Sequence, residues 1–446
     1  MKRPGPISGF PEWLPEQRMV EQRVLDILRT KFELHGFAPV ETRAVEPLEQ
    51  LLAKGETDKE IYVLRRLHAS DDEGNTGLGL HYDLTVPFAR YTVEHEGKLQ
   101  FPLRRYQIQR AWRGERPQEG RFREFLQADF DVINRNHLPF YHDIELPVML
   151  ADIWSSLPFP SLRLLTNNRK IAEGFYGSIG IKDIPTALRT VDKLDKLGGQ
   201  AVLELLKQQV GCTEEQAKAC LDLSSISTTD GSFVDRVRAL GASDPLMDEG
   251  LHELTQVVDA VNQAAPGLIV ADMRVARGFD YYTGTVYEGL LVGHEGLGAV
   301  CSGGRYDNLA SAGESLSFPG VGLSIGITRI LARLFNRGLL QASRRTPTCV
   351  LVALANEEDR SNCNQLAACL RSRGVPTEVA PDPVKYGKQI RHAERHGIPY
   401  VWFPHWETED HEVRDIRSGV QEPADPNMWL PPSEDLGVII LTDHDR

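Results

Sequence analysis

Residues Arg104 to Ile133, RRYQIQRAWRGERPQEGRFREFLQADFDVI, constrain the fold more than any other stretch. They read as two strands separated by the turn-prone loop Gly114 to Gly120, hence as an antiparallel hairpin. In the first run, alternation sets Tyr106, Ile108 and Trp112 on one face, broken by Arg110, and Arg105, Gln107, Gln109 and Arg113 on the other. In the second run Phe122, Leu126, Ala128, Phe130 and Val132 share a face, against Arg121, Arg123, Gln127, Asp129 and Asp131. One face is core, and the opposite face carries cations, amides and carboxylates. Arginine forks match phosphate and carboxylate geometry, whereas Gln127 and Asp131 suit a polar, partly cationic small molecule. The strand from Gln127 to Asp131 covers roughly 13 Å, enough for a ligand of nucleotide size. From the hairpin alone, a binding site and the solvated outer face of an antiparallel pair fit equally well.

A chain of 446 residues exceeds the size at which one core stops growing, so two to four domains are expected. The formal charge of −13 argues against a general nucleic-acid coat but leaves room for a nucleic-acid partner at local basic patches. Residues 102–123 form such a patch, with seven Arg against two Glu. The six cysteines include no Cys-x-x-Cys pair, which offers no zinc or disulfide framework and fits a reducing compartment. The N-terminal MKRPGPISGF lacks the apolar run of a signal peptide, and no stretch is long enough to span a bilayer. The expectation is a cytoplasmic protein without a membrane partner.

Around the hairpin, Val20, Val24, Ile27, Leu28 and Phe32 predict a long amphipathic helix stopped at Gly36. Phe37 to Thr42 and His81 to Pro87 read as strands, the latter with Asp83 and Thr85 on one face and a helix from Phe88 to Glu94 after it. Helix is expected over His142–Ser156 and strand over Ser161–Leu165, and residues 168–265 form a helical insertion. Strand character resumes at Ile269 and continues through VARGFDYYTGTVYEGLLV, followed by a Gly-rich turn at Cys301–Asp307. Gly320 to Gly326 is a strand leading straight into a helix with Ile327, Ile330, Leu331, Leu334 and Phe335 on one face and Gly338 as its stop. Arg329 lies off that face in the first turn, either as a surface residue or beside something anionic, since the helix dipole disfavours a cation there. From Pro347 the elements alternate as in a small α/β domain, whose second helix gathers Lys385, Lys388, Arg391, His392, Arg395 and His396 against Glu394. A solvated face and RNA contact are both open for that helix.

Taken together, these stretches resemble a known family. The hairpin resembles motif 2 of class II aminoacyl-tRNA synthetases, with Trp-Arg-Gly-Glu at 112–115 matching the Phe-Arg-x-Glu core, and GVGLSIGITRI at 320–330 resembles motif 3. RGFDYYTGTVYEG at 277–289 and SGGRYD at 302–307 resemble two signatures peculiar to the histidyl-tRNA synthetase family, and HYDLTVPFARY at 81–91 is similar to that family too. The resemblance covers essentially the whole chain. It implies an α+β fold, a class II antiparallel sheet flanked by helices, with a helical insertion and a C-terminal α/β anticodon-binding domain. The implied domains are a catalytic part over 1–167 and 266–342, the insertion over 168–265, and the anticodon-binding domain over 347–446. Implied partners are L-histidine, ATP with Mg2+, tRNA(His) and a second copy in a homodimer. The implied chemistry is formation of histidyl-adenylate and transfer to tRNA.

By position, the resemblance gives Arg113 the α-phosphate and the histidine carboxylate, and Glu115 the adenine side. Arg121 and Arg329 take the far phosphates, and Arg277 becomes the catalytic cation at the α-phosphate. Asp83, Thr85 and Gln127 surround the α-amino group, and Asp131 and Tyr282 the imidazole, with Tyr281 in the same pocket. Regular alternation sets Arg277 and Tyr282 on opposite faces, so these roles require an irregularity near Gly278. There are departures: Arg43 stands where motif 1 has proline, Thr328 where Glu commonly precedes the motif 3 arginine, and Asp83 and Asp131 where many bacterial relatives have Glu. The alternative is an inactive synthetase-like regulatory subunit of ATP phosphoribosyltransferase, a class that typically erodes the signature arginines present here.

Overall fold

The structure, a computed structural model, describes residues 5–52, 60–68, 77–275, 281–312, 316–408 and 410–443. The chain forms two compact units, Met1–Pro11 with Ile27–Arg333, and Glu12–Asp26 with Leu334–Arg446.

The first unit is built on a nine-stranded sheet. Its strands are β1 (Ala38–Pro39), β2 (Leu103–Trp112), β3 (Glu124–Ile133), β4 (Leu162–Asn168), β5 (Ser227–Thr228), β6 (Ile269–Asp272), β7 (Thr285–Leu291), β8 (Cys301–Tyr306) and β9 (Gly320–Gly326). Their order is β1-β2-β3-β9-β8-β7-β4-β6-β5. Every pairing from β2 across to β4 is antiparallel, whereas β1 joins β2 and β6 joins β4 in parallel. The predicted hairpin is β2 and β3, in a register that sets Arg105 opposite Asp131 and Gln107 opposite Asp129. On the other flank of β3, Gly322 stands opposite Asp131. Helix α1 (Pro15–Leu34) matches its predicted periodicity, and its Phe32 stacks on Tyr106 at 5.1 Å and tilts against Phe130 at 5.3 Å. Each such buried aromatic contributes about 1.5–3 kcal/mol of hydrophobic stabilisation.

The polar face of the hairpin is also enclosed: Arg105 is 0 %, Gln107 1 %, Asp129 3 % and Asp131 3 % exposed. Helix α2 (Thr85–Glu94) contributes to the cover, with Phe88 lying 4.2 Å under the Arg105 guanidinium. The reading of this face as solvated surface is thereby excluded. Helix α2 itself corrects the expected strand at His81–Pro87, since the strand here is Leu78–Leu80 and the helix begins at Thr85. Pro87 falls in the first turn, where a missing N–H costs no helical hydrogen bond. The Asp83 carboxylate accepts from the Val86 N–H at 3.1 Å, which holds the turn in place of an extended strand.

Two further expectations change. Cys301–Asp307 is not a turn but largely the central strand β8, and its glycines serve close strand packing. A Cβ on Gly303 would sit 2.0 Å from the Gly322 carbonyl oxygen, and one on Gly304 2.5 Å from that of Thr285. Strand character does not run on from Ile269, because β6 ends at Asp272 and β7 starts at Thr285. Within Phe37–Thr42 only Ala38–Pro39 pairs as strand, and Thr42 instead accepts a bond from the Gln107 amide at 2.9 Å. Helix α3 (Tyr141–Ser155) and the series of helices from Arg169–Ser178 to Pro245–Ala264 follow the predicted pattern. Asp183, Thr213 and Asp244 start three of the latter by accepting from backbone N–H groups. Helix α4 (Ile327–Asn336) follows β9 without a break.

The second unit holds a five-stranded sheet of β10 (Val350–Val352), β11 (Thr377–Val379), β12 (Tyr400–Phe403), β13 (Glu412–Asp415) and β14 (Gln421–Pro423), in the order β11-β10-β12-β13-β14. Helices α5 (Arg360–Ser372) and α6 (Tyr386–His396) alternate with its parallel strands as expected. Gln389, buried on α6, accepts from the Leu354 N–H at 3.0 Å and donates to the Leu354 carbonyl at 2.8 Å, fastening the helix to the chain after β10. Among the described residues, no helix is long and apolar enough to cross a membrane.

Candidate active site

The acidic end of the site lies on three neighbouring strands. Asp129 and Asp131 project from β3, and Ser324 of β9, opposite Asp129 in the register, accepts from the Gln127 amide at 2.8 Å. Tyr306 of β8 donates its hydroxyl proton to Asp131 at 2.9 Å. Asp83, just before α2, and the Tyr281–Tyr282 pair, with rings 4.8 Å apart, close the pocket, and Thr85 bonds Tyr281. The aromatic wall is one packed cluster with Tyr82, Phe88, Tyr281, Tyr306 and Phe318 buried in it. Thr283, next to Tyr282, is fastened through the SGGRYD segment: its N–H donates to the Arg305 carbonyl at 2.8 Å, and its hydroxyl to Asp307. Arg305 in turn donates to Asp143 at 2.6 Å and to the Leu138 carbonyl at 2.7 Å. That signature therefore braces the pocket from behind.

The cationic end is the hairpin loop. Arg113 donates through Nε to the Tyr82 carbonyl at 3.0 Å, next to Asp83, with its guanidinium 5.1 Å from the Phe125 ring. Arg121 pairs with Glu115 at 3.1 Å. Arg329 of α4 is held by the carbonyls of Gly120, at 2.7 Å, and Ala299. The three arginines and Glu115 line one cavity together with Gln127 and Ser324, so the cationic and acidic ends adjoin. Burial, then the charges of Arg121 and Arg113, lower the Arg329 pKa, as expected where cations converge without enough anions.

At the acidic end burial dominates in the opposite sense. It pushes Asp129 up to about 7 and Asp83 up to about 6, and raises Asp131; Arg105 pulls all three back. Among the described residues, Asp83 Oδ2, Asp129 Oδ1 and Gln127 Oε1 are buried acceptors without a hydrogen-bond donor. Such orphans are costly unless a ligand supplies donors. The shift also fixes a sign. With its folded pKa above the unfolded value, Asp129 keeps a proton that the unfolded chain has released, so its contribution to stability is lost as pH rises through about 7. Asparagine does not titrate. The stability of Asp129→Asn relative to the parent is therefore expected to grow by about 1 kcal/mol between pH 6 and pH 8. Thermal unfolding at the two pH values measures it, and a flat difference would mean that Asp129 stays ionised.

The structure thus brings together Asp83, Thr85, Gln127, Asp131, Tyr281 and Tyr282 at one end and Arg113, Glu115, Arg121 and Arg329 at the other. Arg277 and the irregularity expected near Gly278 lie outside the described residues. Sequence reasoning assigned no role to Asp129, Ser324, Tyr306 or Arg105. Asp129 was visible on the polar face, but Ser324, Tyr306 and Arg105 acquire partners only once strand register is known. Thr328, one of the departures, accepts from the Leu126 N–H at 2.8 Å and so fastens β3 to the start of α4.

The chain is similar to known proteins over nearly its whole length. Residues 9–330 match a family model described as histidyl-tRNA synthetase, and residues 348–422 one described as an anticodon-binding domain. The chain is 53 % identical to a histidine–tRNA ligase of Cutibacterium acnes, over 98 % of this chain and 99 % of that protein. It is 54 % identical to a histidine–tRNA ligase of Micrococcus luteus, over 98 % of each. Among solved structures, a histidyl-tRNA synthetase from Nostoc superposes with a TM-score of 0.83 at 32 % identity, covering 96 % of this chain and 98 % of the other.

Proposed function

The chain belongs to the histidyl-tRNA synthetase family and is an aminoacyl-tRNA ligase, and from that premise we propose how its residues activate L-histidine with ATP and pass it to the 3′ end of tRNA(His). A carboxylate oxygen of histidine attacks the α-phosphorus, the bond to the β-phosphate oxygen breaks, and diphosphate leaves. A ribose hydroxyl at the tRNA 3′ end then attacks the adenylate carbonyl, its proton passes to the departing phosphate, and AMP leaves. The first step joins two anions, so it is accelerated by positioning and charge neutralisation. Arg113 bridges the α-phosphate and the histidine carboxylate, Arg277 neutralises the α-phosphate, and Arg121 and Arg329 hold the far phosphates. Glu115 faces the adenine. The first step needs no general base, because the carboxylate is already ionised.

The observation that carries this reading is the set of orphan acceptors adjoining an arginine cluster. Asp83, Gln127 and Thr85 suit an ammonium group, and Asp131 and Tyr282 suit the two nitrogens of an imidazole. An apolar analogue would offer those buried groups no hydrogen-bonding partner of its own. Magnesium would arrive with the nucleotide. It would be held mainly by phosphate oxygens and water. We further place the anticodon contact on residues 347–446, the helical insertion at 168–265 between catalytic parts 1–167 and 266–342, and the protein in the cytoplasm as a homodimer.

Histidine-dependent exchange of labelled diphosphate into ATP tests the reading. Exchange with histidine alone among the amino acids is expected, and exchange with none would favour the regulatory-subunit alternative. Full-length likeness to histidine–tRNA ligases argues against that alternative. For the tail, Lys388, Arg391 and Arg395 are exposed on α6, and Lys388 and Arg395 border a cavity with His392. Replacing Lys388 and Arg391 by Ala is expected to lower tRNA charging by about tenfold while sparing exchange, since each lost phosphate contact weakens binding without touching the sheet. An equal fall in exchange would make α6 a structural element only.

A further inference from the structure

Arg105 takes no part in the roles above, yet it is among the largest fully buried side chains of the molecule. Its register on β2 faces it directly at Asp131 of β3. Nη2 lies 2.8 Å from Asp131 Oδ2, an ion pair whose angles fall outside those of a hydrogen bond. Nη1 donates to the Gln107 amide oxygen at 3.1 Å, and the guanidinium plane rests over Phe88. On the far side of the same carboxylate, Tyr306 donates to Oδ1 at 2.9 Å. Beneath them two glycines of β9 leave a trough. A Cβ on Gly320 would meet the Tyr306 ring at 2.4 Å, and one on Gly322 would meet Asp131 Oδ1 at 2.0 Å. Asp131 is therefore gripped from two sides and seated in a groove shaped for it.

The titratable groups facing this carboxylate come from several elements: Asp129 on β3, Asp83 before α2, Tyr306 on β8 and Tyr282 before β7, with Arg113, just after β2, and Tyr281 acting on Asp83. Three carboxylates converge, and Arg105 is the cation that acts on all of them. A buried carboxylate without a counter-ion takes up a proton and loses acceptor capacity. A ring N–H of the substrate requires an acceptor in a fixed place. We propose that Arg105 is a positioning residue for amino-acid selection, holding Asp131 as the ionised, oriented acceptor of the substrate's imidazole N–H. This rests on the assignment of Asp131 to the imidazole made above. It predicts that arginine is required rather than any cation, since a lysine cannot contact Gln107, Phe88 and Asp131 with one planar group.

The test uses the full-length chain and diphosphate exchange, with histidine and ATP varied in turn. Arg105→Met is expected to raise the histidine KM by about 30-fold, the lower end of what loss of one partner of a buried charge pair costs, and to leave the ATP KM within about twofold. Arg105→Lys should restore part of the loss. Arg105→Met combined with Asp131→Asn should be no worse than Asp131→Asn alone, because both remove the same acceptor. Equal rises in both KM values, an unchanged histidine KM, or additive losses in the double variant would each overturn the proposal. If Arg105→Met does not fold, Arg105→Lys decides: a selective rise in the histidine KM supports the role and no rise refutes it. A parent without histidine-dependent exchange refutes the functional reading itself, whereas an active parent with indifferent Arg105 variants refutes this inference only.

Discussion

Arg113→Gln is expected to lower the turnover of histidine-dependent diphosphate exchange by about 10³-fold, at the upper end of what removal of one transition-state donor costs. The reason is its place at the junction of the two ends. Its Nε is committed to the Tyr82 carbonyl beside Asp83, and its guanidinium lines the cavity shared by Arg121 and Arg329. On the role proposed for it, a group so placed would face both anions that must meet, and its charge would matter most while the new bond to phosphorus forms. Arg121 and Arg329 remain in the variant, so ATP binding is expected to weaken far less than turnover falls. Steady-state exchange with each substrate varied separates the two. A raised ATP KM with unchanged turnover would make Arg113 a ground-state binding group.

Gly322→Ala is expected to raise the histidine KM by about 100-fold, the penalty for displacing a reacting or recognition group by about an ångström. The added Cβ would stand 2.0 Å from Asp131 Oδ1 and 2.4 Å from Cγ. Gly322 pairs with Asp131 on one side and with Gly304 of β8 on the other, so β9 cannot retreat and the carboxylate must move. Moving it breaks the Tyr306 bond and the Arg105 ion pair together. The fold should survive with a loss of about 1–3 kcal/mol, typical of overpacking. Thermal unfolding and the ATP KM serve as controls. A normal histidine KM in a folded variant would show that Asp131 does not need its groove.

Much of this site was legible in the sequence, and the rest was hidden for identifiable reasons. Period-two alternation sorted the hairpin faces correctly, and period 3.6 found α1 and α4, because both signals live within one element. Burial of the polar face was invisible, since its cover comes from α2 and other distant segments. Alternation of Asp83 and Thr85 with Leu84 and Val86 reads as strand, whereas the Val86 N–H bond to Asp83 and Pro87 favour a helical turn. Gly303 and Gly304 read as a turn because glycine's conformational freedom and its lack of a Cβ leave the same mark in a sequence. The pairing of Arg105 with Asp131 depends on register, which the length of the hairpin loop sets and the alternation pattern does not.

The parallel pair β4 and β6 has a consequence for how freely this architecture can be remodelled. A parallel connection needs a crossover of about a dozen residues. Helix Pro245–Ala264 alone is long enough to serve, with Leu251, Leu254, Val258 and Val261 buried along it. Sheet connectivity therefore places no demand on the helices between Ile184 and Ser224, which lie between helix Arg169–Ser178, packed on the crossover helix, and edge strand β5. That stretch can be lengthened, trimmed or exchanged as a cassette while the catalytic strands keep their spacing.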